Sequence, residues 1–350
     1  MRSSATAQDV AALAKVSQSA VSRTFTPGAS VSEDTKARVL IAAKTLGYRP
    51  NALARSLITR RSRIIALVMS YLENQFYPLV IEKLSQKLQK QGYHVLMFIS
   101  DLDETDSALA EILQYQVDGI VMASAMLSPG LAAQCADSGV PVVLFNRVPD
   151  VSAYARHTTC SVTSDNRRGG QLVAALLMAR GHKRIAYLAG LEQSSTNLER
   201  EGGFTESLEA AGRSVYRRAF GHYSFEMAKA ATRELFTGPK VPDAVFVAND
   251  HMAIATMDVL REELSLRIPE DVSVVGFDDV PQAAWGAYRL TTVVQSVEDM
   301  VVATVELLHE QMVESATPRN VVIPCRIVER ASVRPASRAK AKTPTRKKQQ

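Results

Sequence analysis

Five polar residues in the stretch VSQSAVSRTF, residues 16–25, carry side chains suited to binding a nucleic acid. Glutamine and arginine can form paired hydrogen bonds with base edges, and serine hydroxyls can contact phosphate oxygens. We therefore expect base contacts from Gln18, Ser19 and Arg23, and phosphate contacts from Ser17 and Ser22. A helix buried on all sides would carry Leu or Ile at several of these positions, so the pattern predicts a helix that presents one face to a polar partner.

A second group of polar residues follows apolar segments that have the composition of buried strands. Asn249 and Asp278 come directly after two such segments, and Ser124, Asn146 and Arg147 come after two others. In open α/β sheets, ligands bind beyond the carboxyl ends of the strands. We therefore expect these side chains to surround one cleft and to bind ligand hydroxyls there.

Aromatic and capping residues complete this prediction. Phe76 or Tyr223 could cover the apolar face of a sugar in the same cleft. Asn and Asp after a strand can also cap the next helix, and we favour that role for Asp165, Asn166 and Asp250 because a predicted helix starts there at once. For Asn249 and Asp278 we favour ligand contact.

The sequence contains none of the motifs that would indicate catalysis. It lacks a phosphate-binding G-x-x-x-x-G-K-[ST] loop, a G-x-G-x-x-G turn after a strand, a G-x-S-x-G elbow and a His/Asp set with metal spacing. Asp278 and Asp279 are adjacent at a strand end and would point in opposite directions, so a shared catalytic role is not expected. The sequence thus predicts no enzyme activity, no cofactor and no bound metal.

Three helices must position the polar face near the N-terminus. Each is predicted to begin after a Ser or Thr whose side chain can cap its first turn. The predicted helices are 7–14 after Thr6, 18–25 after Ser17, and a third that follows Ser32 and ends at Gly47. The apolar residues expected to pack between them are Val10, Leu13, Val16, Val21, Phe25, Val39, Leu40, Ala43 and Leu46. This arrangement is a helix-turn-helix with a supporting third helix, whose second helix enters a DNA major groove; a three-helix bundle that binds nothing is the less favoured alternative.

A short basic segment, residues 51–62, follows this domain of residues 1–50. Asn51 can cap a two-turn helix that contains Ala54, Arg55 and Leu57 and is too short to be stable alone. Such a helix suits insertion into a minor groove, with Leu57 wedged between base steps. A plain interdomain linker explains the composition equally well.

From residue 63 to 333 the chain alternates apolar strands with amphipathic helices, several of which end at a glycine such as Gly181. Continuous apolar strands that alternate with helices indicate parallel sheets covered on both faces. We predict a periplasmic-binding-protein-like α/β body of two doubly wound parallel-sheet subdomains. The N-subdomain is expected at about 63–160 and 292–322, and the C-subdomain at about 161–291 and 323–333.

Charge is distributed unevenly along the 350 residues. Residues 1–63 carry a net charge of +8, residues 64–333 carry −10, and the last 17 residues carry +7. A basic head on an acidic body favours a polyanionic partner for the head. The tail 334–350 is expected to be disordered, and it either adds non-specific DNA affinity or only improves solubility.

The chain contains no apolar run near the roughly 20 residues that span a bilayer, and its start lacks a secretory apolar region. Its three cysteines are widely spaced and form no ligand cluster. These observations predict a cytoplasmic protein with reduced thiols and no membrane partner. They also disfavour a periplasmic sugar-binding protein, which the body alone would fit, because such a protein needs a signal peptide.

Two stretches of the head, DVAALAKVSQSAVSRTF and VSEDTKARVLIAAKTLGYRPNALARSL, resemble the DNA-binding head and hinge helix of the lactose/galactose repressor (LacI/GalR) family. The family pattern is D-V-A-x-x-A-x-V-S-x-x-T-V-S-R-x-L-N, then V-S-x-x-T-R, then G-Y-x-P-N-x-x-A-R-S-L. The sequence departs from it at Lys15, where Gly or Asn is usual in the turn, at Ala20, where Thr is common, and at Thr26, where the family has Asn. The resemblance continues through REGGF, VANDHMA, VSVVGFDD and LTTVVQ, and covers roughly residues 7–333.

The resemblance implies a cytoplasmic, nucleoid-associated transcriptional regulator, most often a repressor. Such a protein binds a pseudo-palindromic double-stranded operator as a homodimer, and a small-molecule effector between its subdomains controls operator affinity. It also implies that Gln18, Ser19 and Arg23 contact bases, and that Arg200, Asn249 and Asp278 contact the effector.

The segment NQFYPLV resembles the family's N-P-F-F-A-x-L, which implies that Phe76 and Tyr77 lie at the cleft mouth. Asn146 stands where many members carry Asp. Together Arg147 and Arg200 would suit an anionic sugar acid or sugar phosphate, although relatives that bind neutral sugars also carry the equivalent of Arg200. The tail lacks a leucine heptad, which favours a dimer over a tetramer.

Overall fold

A computed structural model of the chain describes residues 5–26, 28–50, 61–70, 72–99, 105–123, 134–135, 137–148, 159–314 and 316–336; the side chains of 105–109 and 314 are not described. The predicted hinge residues Asn51, Ala54, Arg55 and Leu57, the cleft candidate Ser124 and the tail after residue 336 lie outside these ranges. The chain divides into two compact units, Met1–Arg63 and Ile64–Gln350.

The first unit, the head, contains the three predicted helices. They are α1 (Ala7–Ala14), α2 (Gln18–Thr24) and α3 (Glu33–Leu46). Thr6 and Asp9 cap α1 reciprocally, since the Thr6 amide donates to Asp9 Oδ2 at 2.9 Å and the Asp9 amide donates to Thr6 Oγ1 at 3.3 Å. Ser17 and Ser32 cap the other two helices as predicted. Lys15 ends α1 in the left-handed region at φ 52°, a conformation that favours Gly or Asn.

The core of the head is smaller than the sequence predicted. Its buried residues are Val10, Ala11, Ala14, Val21, Val39, Ala42 and Ala43. Alanines at the helix contacts let the backbones approach closely, so that larger neighbours on adjacent helix faces are left outside. Three of the apolar residues predicted to be buried are therefore exposed, with Leu13 at 51%, Leu40 at 45% and Leu46 at 38%. Val16 and Phe25 pack at the edge of the core.

The first sheet of the body has the strand order β11-β5-β4-β3-β1-β2 and is parallel throughout. Its strands are β1 (Ile64–Met69), β2 (His94–Ile99), β3 (Gly119–Ala123), β4 (Val142–Phe145), β5 (Cys160–Ser164) and β11 (Asn320–Ile323). Helices α4 (Phe76–Lys90), α5 (Thr105–Gln114) and α10 (Val297–Glu314) alternate with them in the chain. Buried apolar clusters cover the two faces of this sheet, as a doubly wound sheet requires.

The second sheet has the order β12-β10-β9-β8-β6-β7 and is parallel except for β12, which pairs antiparallel with β10. Its strands are β6 (Ile185–Ala189), β7 (Arg217–Phe220), β8 (Ala244–Val247), β9 (Ser273–Asp278), β10 (Thr291–Val294) and β12 (Arg326–Val328). The associated helices are α6 (Asn166–Ala179), α7 (Ser195–Ala210), α8 (Phe225–Leu235) and α9 (Asp250–Asp258), which continues as a π-helical turn (Val259–Glu263), and a 3₁₀ turn (Pro281–Ala284) precedes β10. Gly181 ends the turn after α6 at φ 77°.

The chain passes between the two sheets three times. The three predicted subdomain boundaries fall inside strands, namely β5, β10 and β11. Strands β5 and β11 belong to the first sheet, and β10 belongs to the second. We therefore propose that the crossings lie at residue 165, at 295–296 and at 324–325.

Edge strand β2 differs from the expectation that every strand is covered. Met97 is 46% exposed and Ile99 is 61% exposed. Strand β2 lies at the edge of the sheet and has a neighbouring strand on one side only. Its apolar composition does not show that it lies at an edge, so the exposure of Met97 and Ile99 could not be predicted.

Candidate functional site

Helix α2 presents a polar face that is free of tertiary packing. Gln18, Ser19, Ser22 and Arg23 are exposed, whereas Ala20 and Val21 anchor the helix against the rest of the head. The Ser17 hydroxyl accepts from the Ala20 amide at 3.2 Å and lies 2.9 Å from Ser19 Oγ, so it fixes the first turn of the helix. The structure thus brings together the side chains predicted to contact DNA on one exposed surface.

The body contains a cleft at the carboxyl ends of strands from both sheets. The space between its walls, including the part that is open to solvent, is about 310 Å³. The residues that line it are Asn74, Tyr77, Asn146, Arg147, Thr196, Arg200, Tyr223, Asn249 and Asp278. The first four belong to the first sheet and its connections, and the others belong to the second.

Seven of these residues were predicted from the sequence, and two were not. Asn74 lies in the connection after β1, and Thr196 lies in the first turn of α7. Neither follows a strand directly, so the rule that polar residues follow strands did not find them. The structure corrects the prediction that Phe76 lies at the cleft mouth. It is 1% exposed and packs in the core against Tyr77 and Phe145, because it begins α4 on the side that faces the sheet. It therefore does not line the cleft, while its neighbour Tyr77 does.

Arg200 is held from several sides. Its Nε donates to Asn166 Oδ1 at 2.8 Å, one terminal nitrogen donates to the Ala248 carbonyl at 2.6 Å, and the guanidinium lies 3.7 Å from the centre of the Phe277 ring. The Asp278 carboxylate is 3.9 Å away. Two of the five N–H groups of Arg200 are thus engaged within the protein.

Asp278 ends β9 with φ 131°, a backbone conformation that residues other than glycine rarely adopt. One carboxylate oxygen accepts from Gln295 Nε2 at 2.6 Å. Burial raises the pKa of Asp278 to about 6, and the guanidinium of Arg200 and the Gln295 amide limit that rise. The Asn74 side chain also lowers the pKa of this carboxyl group, although Asp278 Oδ2 makes no hydrogen bond of ordinary geometry within the described residues.

The cap of α9 is Asn249 and not Asp250, for which the sequence predicts that role. Asn249 caps α9, because its Oδ1 accepts from the Met252 amide at 3.0 Å, and its Nδ2 is left without a partner in the described chain. Asp250 is not the cap. Its carboxylate turns back to accept from the Thr292 hydroxyl at 2.6 Å and the Val280 amide at 3.0 Å. Burial, reinforced by the charge of Asp278, raises the pKa of Asp250.

The start of α6 agrees in part with the predicted caps. Asp165 caps the helix, since its Oδ1 accepts from the Arg168 amide at 3.0 Å. Asn166 is the first residue of the helix and serves instead as the partner of Arg200. Its side chain therefore supports the cleft from behind.

Asn146 and Arg147 approach the cleft from the first sheet. Asn146 has φ 58°, a left-handed conformation that Asn tolerates better than most residues. Arg147 donates to the Asn146 carbonyl at 2.8 Å and to Thr196 Oγ1 at 3.2 Å, which joins the two halves of the cleft. Asn146 Oδ1 and Arg147 Nε are buried and make no hydrogen bond within the described part of the chain.

Tyr223 forms an aromatic wall of the cleft. It is 9% exposed, and its hydroxyl lies 3.2 Å from Thr196 Oγ1. The ring covers Gly190, where an added Cβ would lie 2.1 Å from Tyr223 Cζ. Only glycine at position 190 leaves room for this ring.

The cleft combines unpaired acceptors with unpaired donors beside an aromatic ring, a set that matches ligand hydroxyl groups. Within the described ranges, no group of three or more His, Cys, Asp or Glu side chains is placed to hold a metal ion. Among the helices that the structure describes, none combines the length and the apolar composition needed to cross a bilayer.

Both units of the chain match known protein families, and the full-length relatives of the chain are transcriptional regulators. Residues 6–51 match the model for bacterial regulatory proteins of the lacI family, and residues 173–333 match a periplasmic binding protein-like domain. The chain is 33% identical over 337 residues to the transcriptional regulator CelR of Thermobifida fusca, covering 93% of this chain and 98% of CelR. It is 31% identical over 335 residues to the transcriptional repressor PurR of Yersinia enterocolitica, covering 94% of this chain and 97% of PurR.

Solved structures give the same result. A CelR–cellobiose complex aligns with a TM-score of 0.71 and 31% identity, covering 94% of this chain and 99% of that chain. A lac repressor dimer bound to operator and the anti-inducer ONPF aligns with a TM-score of 0.84 and 26% identity, covering 94% of this chain and 99% of that chain. The relatives are transcriptional regulators rather than enzymes.

Proposed function

Because the chain belongs to the lacI family of bacterial regulatory proteins, we propose that it is a repressor whose operator affinity is controlled by a neutral saccharide bound in the cleft. The observation that carries the saccharide assignment is a set of four buried polar atoms on cleft-lining residues that make no hydrogen bond within the described residues. These atoms are Asn146 Oδ1, Arg147 Nε, Asn249 Nδ2 and Asp278 Oδ2.

A neutral polyhydroxylated ligand satisfies this set better than an anion does. A sugar hydroxyl both donates and accepts, so it can pair with the Asn146 and Asp278 oxygens as well as with the Arg147 and Asn249 nitrogens. The charged group of a sugar acid or sugar phosphate can only accept, so it cannot pair with the Asn146 and Asp278 oxygens, and the Asp278 carboxylate would repel it. Arg200 is also partly engaged within the protein, because its Nε and one terminal nitrogen donate to Asn166 and Ala248. The sugar acid or phosphate that the two arginines suggested is therefore the second candidate.

The named ligand of a relative supplies the first compound to test. CelR is solved as a complex with cellobiose, a neutral disaccharide. We propose cellobiose and related neutral mono- and disaccharides as the first effector candidates for this chain. Tyr223 would cover an apolar sugar face, and the remaining cleft residues named above would bind hydroxyls.

For the head, we propose base contacts from Gln18, Ser19 and Arg23 and phosphate contacts from Ser17 and Ser22. The exposure of all five residues supports this assignment. A lac repressor relative is a dimer on its operator, and we propose that two copies of this chain bind two half-sites related by a two-fold axis. The hinge roles of Asn51, Ala54, Arg55 and Leu57 remain proposals from the sequence, as does location at the nucleoid in the cytoplasm.

Effector control would act through the crossings between the two sheets. A ligand that bridges Asn146 and Arg147 on one side and Asn249 and Asp278 on the other favours one relative position of the subdomains. A coupling free energy of about 1–3 kcal/mol between cleft and head would change operator affinity roughly 5–150-fold.

The test combines operator selection with ligand screening. Duplexes enriched from a random library by the full-length protein would serve as probes for fluorescence anisotropy, with each saccharide added in turn. We expect a cleft ligand to raise the melting temperature of the protein and to change operator affinity. Arg200→Ala should abolish the response while operator binding persists, and Glu209→Ala, an exposed position on the same helix, should respond normally. A retained response in Arg200→Ala would remove Arg200 from the site, and a screen in which only sugar acids or phosphates bind would replace the neutral ligand by the second candidate.

A further inference from the structure

The turn that follows β9 has an unusual backbone. Asp278 has φ 131° and Asp279 has φ 61°, so two successive residues other than glycine lie at positive φ. Such conformations persist where surrounding contacts enforce them, and they are frequent at ligand sites. The Asp278 side chain lines the cleft, and its Oδ2 is buried without a hydrogen-bond partner in the described residues.

Three hydrogen bonds that involve side chains of different elements hold the turn. Gln295, beside a crossing between the sheets, donates to Asp278. The Val280 amide donates to Asp250 on α9 at 3.0 Å. The third contact is the ion pair between Arg330 and Asp279, with a nitrogen–oxygen distance of 2.6 Å.

Arg330 is well placed to act on the turn from outside the cleft. It follows β12, and its backbone amide donates to Thr291 Oγ1 at 2.9 Å, at the start of β10. A terminal guanidinium nitrogen donates to the Leu290 carbonyl at 2.8 Å while the other binds Asp279. The Arg330 side chain is 19% exposed and that of Asp279 is 22% exposed, so water screens this pair only in part. Arg330 is not among the residues that line the cleft.

We propose that Arg330 is a positioning residue for the effector: by holding Asp279 at positive φ, it fixes the turn that aims the Asp278 carboxylate at the ligand. This inference rests on the proposed function of the cleft. Arginine suits the role because its planar guanidinium binds a carboxylate and a carbonyl at once. Lysine could keep the ion pair but would not bridge both partners in the same geometry.

The experiment measures cellobiose binding by calorimetry to the full-length protein and to variants at both ends of the ion pair. Arg330→Gln and Asp279→Asn should each weaken binding at least tenfold, and the double variant should be no weaker than either single one, because both remove the same contact. Arg330→Lys should recover part of the affinity. Arg326→Gln, exposed on the adjacent strand β12, should bind as the wild type does. A residue with a merely structural role would lower the melting temperature without changing the affinity of the folded protein.

A crystal structure of the Arg330→Gln variant gives a second result that does not depend on the ligand. We expect Asp278 and Asp279 to leave their positive φ values and Asp278 Oδ2 to turn from the cleft. If wild type and Arg330→Gln bind cellobiose equally, or if the turn is unchanged in the variant, the positioning role is wrong. If the wild type binds no saccharide at all, the proposed function of the cleft fails, and the structure of the variant alone decides the positioning role.

Discussion

The close crossing of α6 and α7 makes a sharp prediction about Gly203. A Cβ added at Gly203 would lie 2.0 Å from the Arg167 carbonyl oxygen, 2.8 Å from its carbon and 3.0 Å from its Cα. All three atoms belong to the backbone of α6, so no side-chain rotation can relieve the clash. Ordinary contact begins at 3.4 Å, which means that the helices would have to separate by roughly 1.4 Å at this point.

The expected loss follows from this displacement. Overpacking costs about 1–3 kcal/mol, and the shift also strains the hydrogen bond of 2.8 Å that joins Arg200 on α7 to Asn166 on α6. The higher helix propensity of alanine returns at most about 1 kcal/mol. We therefore expect Gly203→Ala to lower the free energy of unfolding by about 2 kcal/mol net and, because Arg200 moves, to weaken effector binding.

Gly202→Ala is the matched control one residue away. Its Cβ would meet only the end of the Arg167 side chain, at 3.5 Å. That is ordinary contact, so this variant should equal or exceed the wild type in stability. Urea denaturation followed by circular dichroism compares the three proteins, and calorimetry with cellobiose compares their cleft affinity. Equal stability of Gly203→Ala and Gly202→Ala would refute the argument that the helix crossing requires glycine at position 203.

Three further predictions concern pH, the aromatic wall and the head. Since burial raises the pKa of Asp278 from 3.8 to about 6, effector affinity should fall as the pH drops from 7 to 5, and Asp278→Asn should flatten the titration; a wild-type affinity independent of pH would contradict the role of the carboxylate. The same raised pKa affects the free energy of unfolding: the stabilisation from Asp278 is fully present below pH 3.8 and is lost as the pH rises through about 6. Stability should therefore fall with rising pH over the range in which effector affinity rises. Gly190→Ala should force the Tyr223 ring aside and weaken saccharide binding by tenfold or more in calorimetry. The control Gly286→Ala, whose Cβ would face open space, should bind as the wild type does. Equal saccharide affinities of Gly190→Ala and the wild type would show that the ring does not contact the ligand. Ser17→Ala should lower the stability of the head by about 1 kcal/mol through loss of the α2 cap, as measured by thermal unfolding of residues 1–63, and an unchanged melting temperature would show that the cap contributes nothing.

Much of the fold follows from local rules. Thr6, Ser17 and Ser32 each begin a helix because their hydroxyls accept amide hydrogen bonds that the first turn leaves free. The predicted alternation of strands and helices in the body is confirmed. The prediction was possible because apolar runs of four to six residues are too short to form stable helices. These features depend on residues that are close together in the chain.

Tertiary packing decided the features that the sequence did not reveal. Leu13 was expected in the core, but the small contact residues of the head place it on the surface. Phe76 and Tyr77 are adjacent aromatics, and only the orientation of α4 determines that the second lines the cleft and the first does not. Asp250 follows a strand and starts a helix, which is the sequence pattern of a cap. Thr292, which is distant in the chain, instead donates a hydrogen bond to its carboxylate.

The most direct test of the central claim is operator selection with the full-length protein, because the account holds that the exposed face of α2 recognises DNA. The protein should enrich a roughly palindromic duplex from a random library. Gln18→Ala and Arg23→Ala should each lose about 1–3 kcal/mol of discrimination at one position in each half-site. Binding that is equally strong for all duplexes, with or without saccharides, would contradict the account.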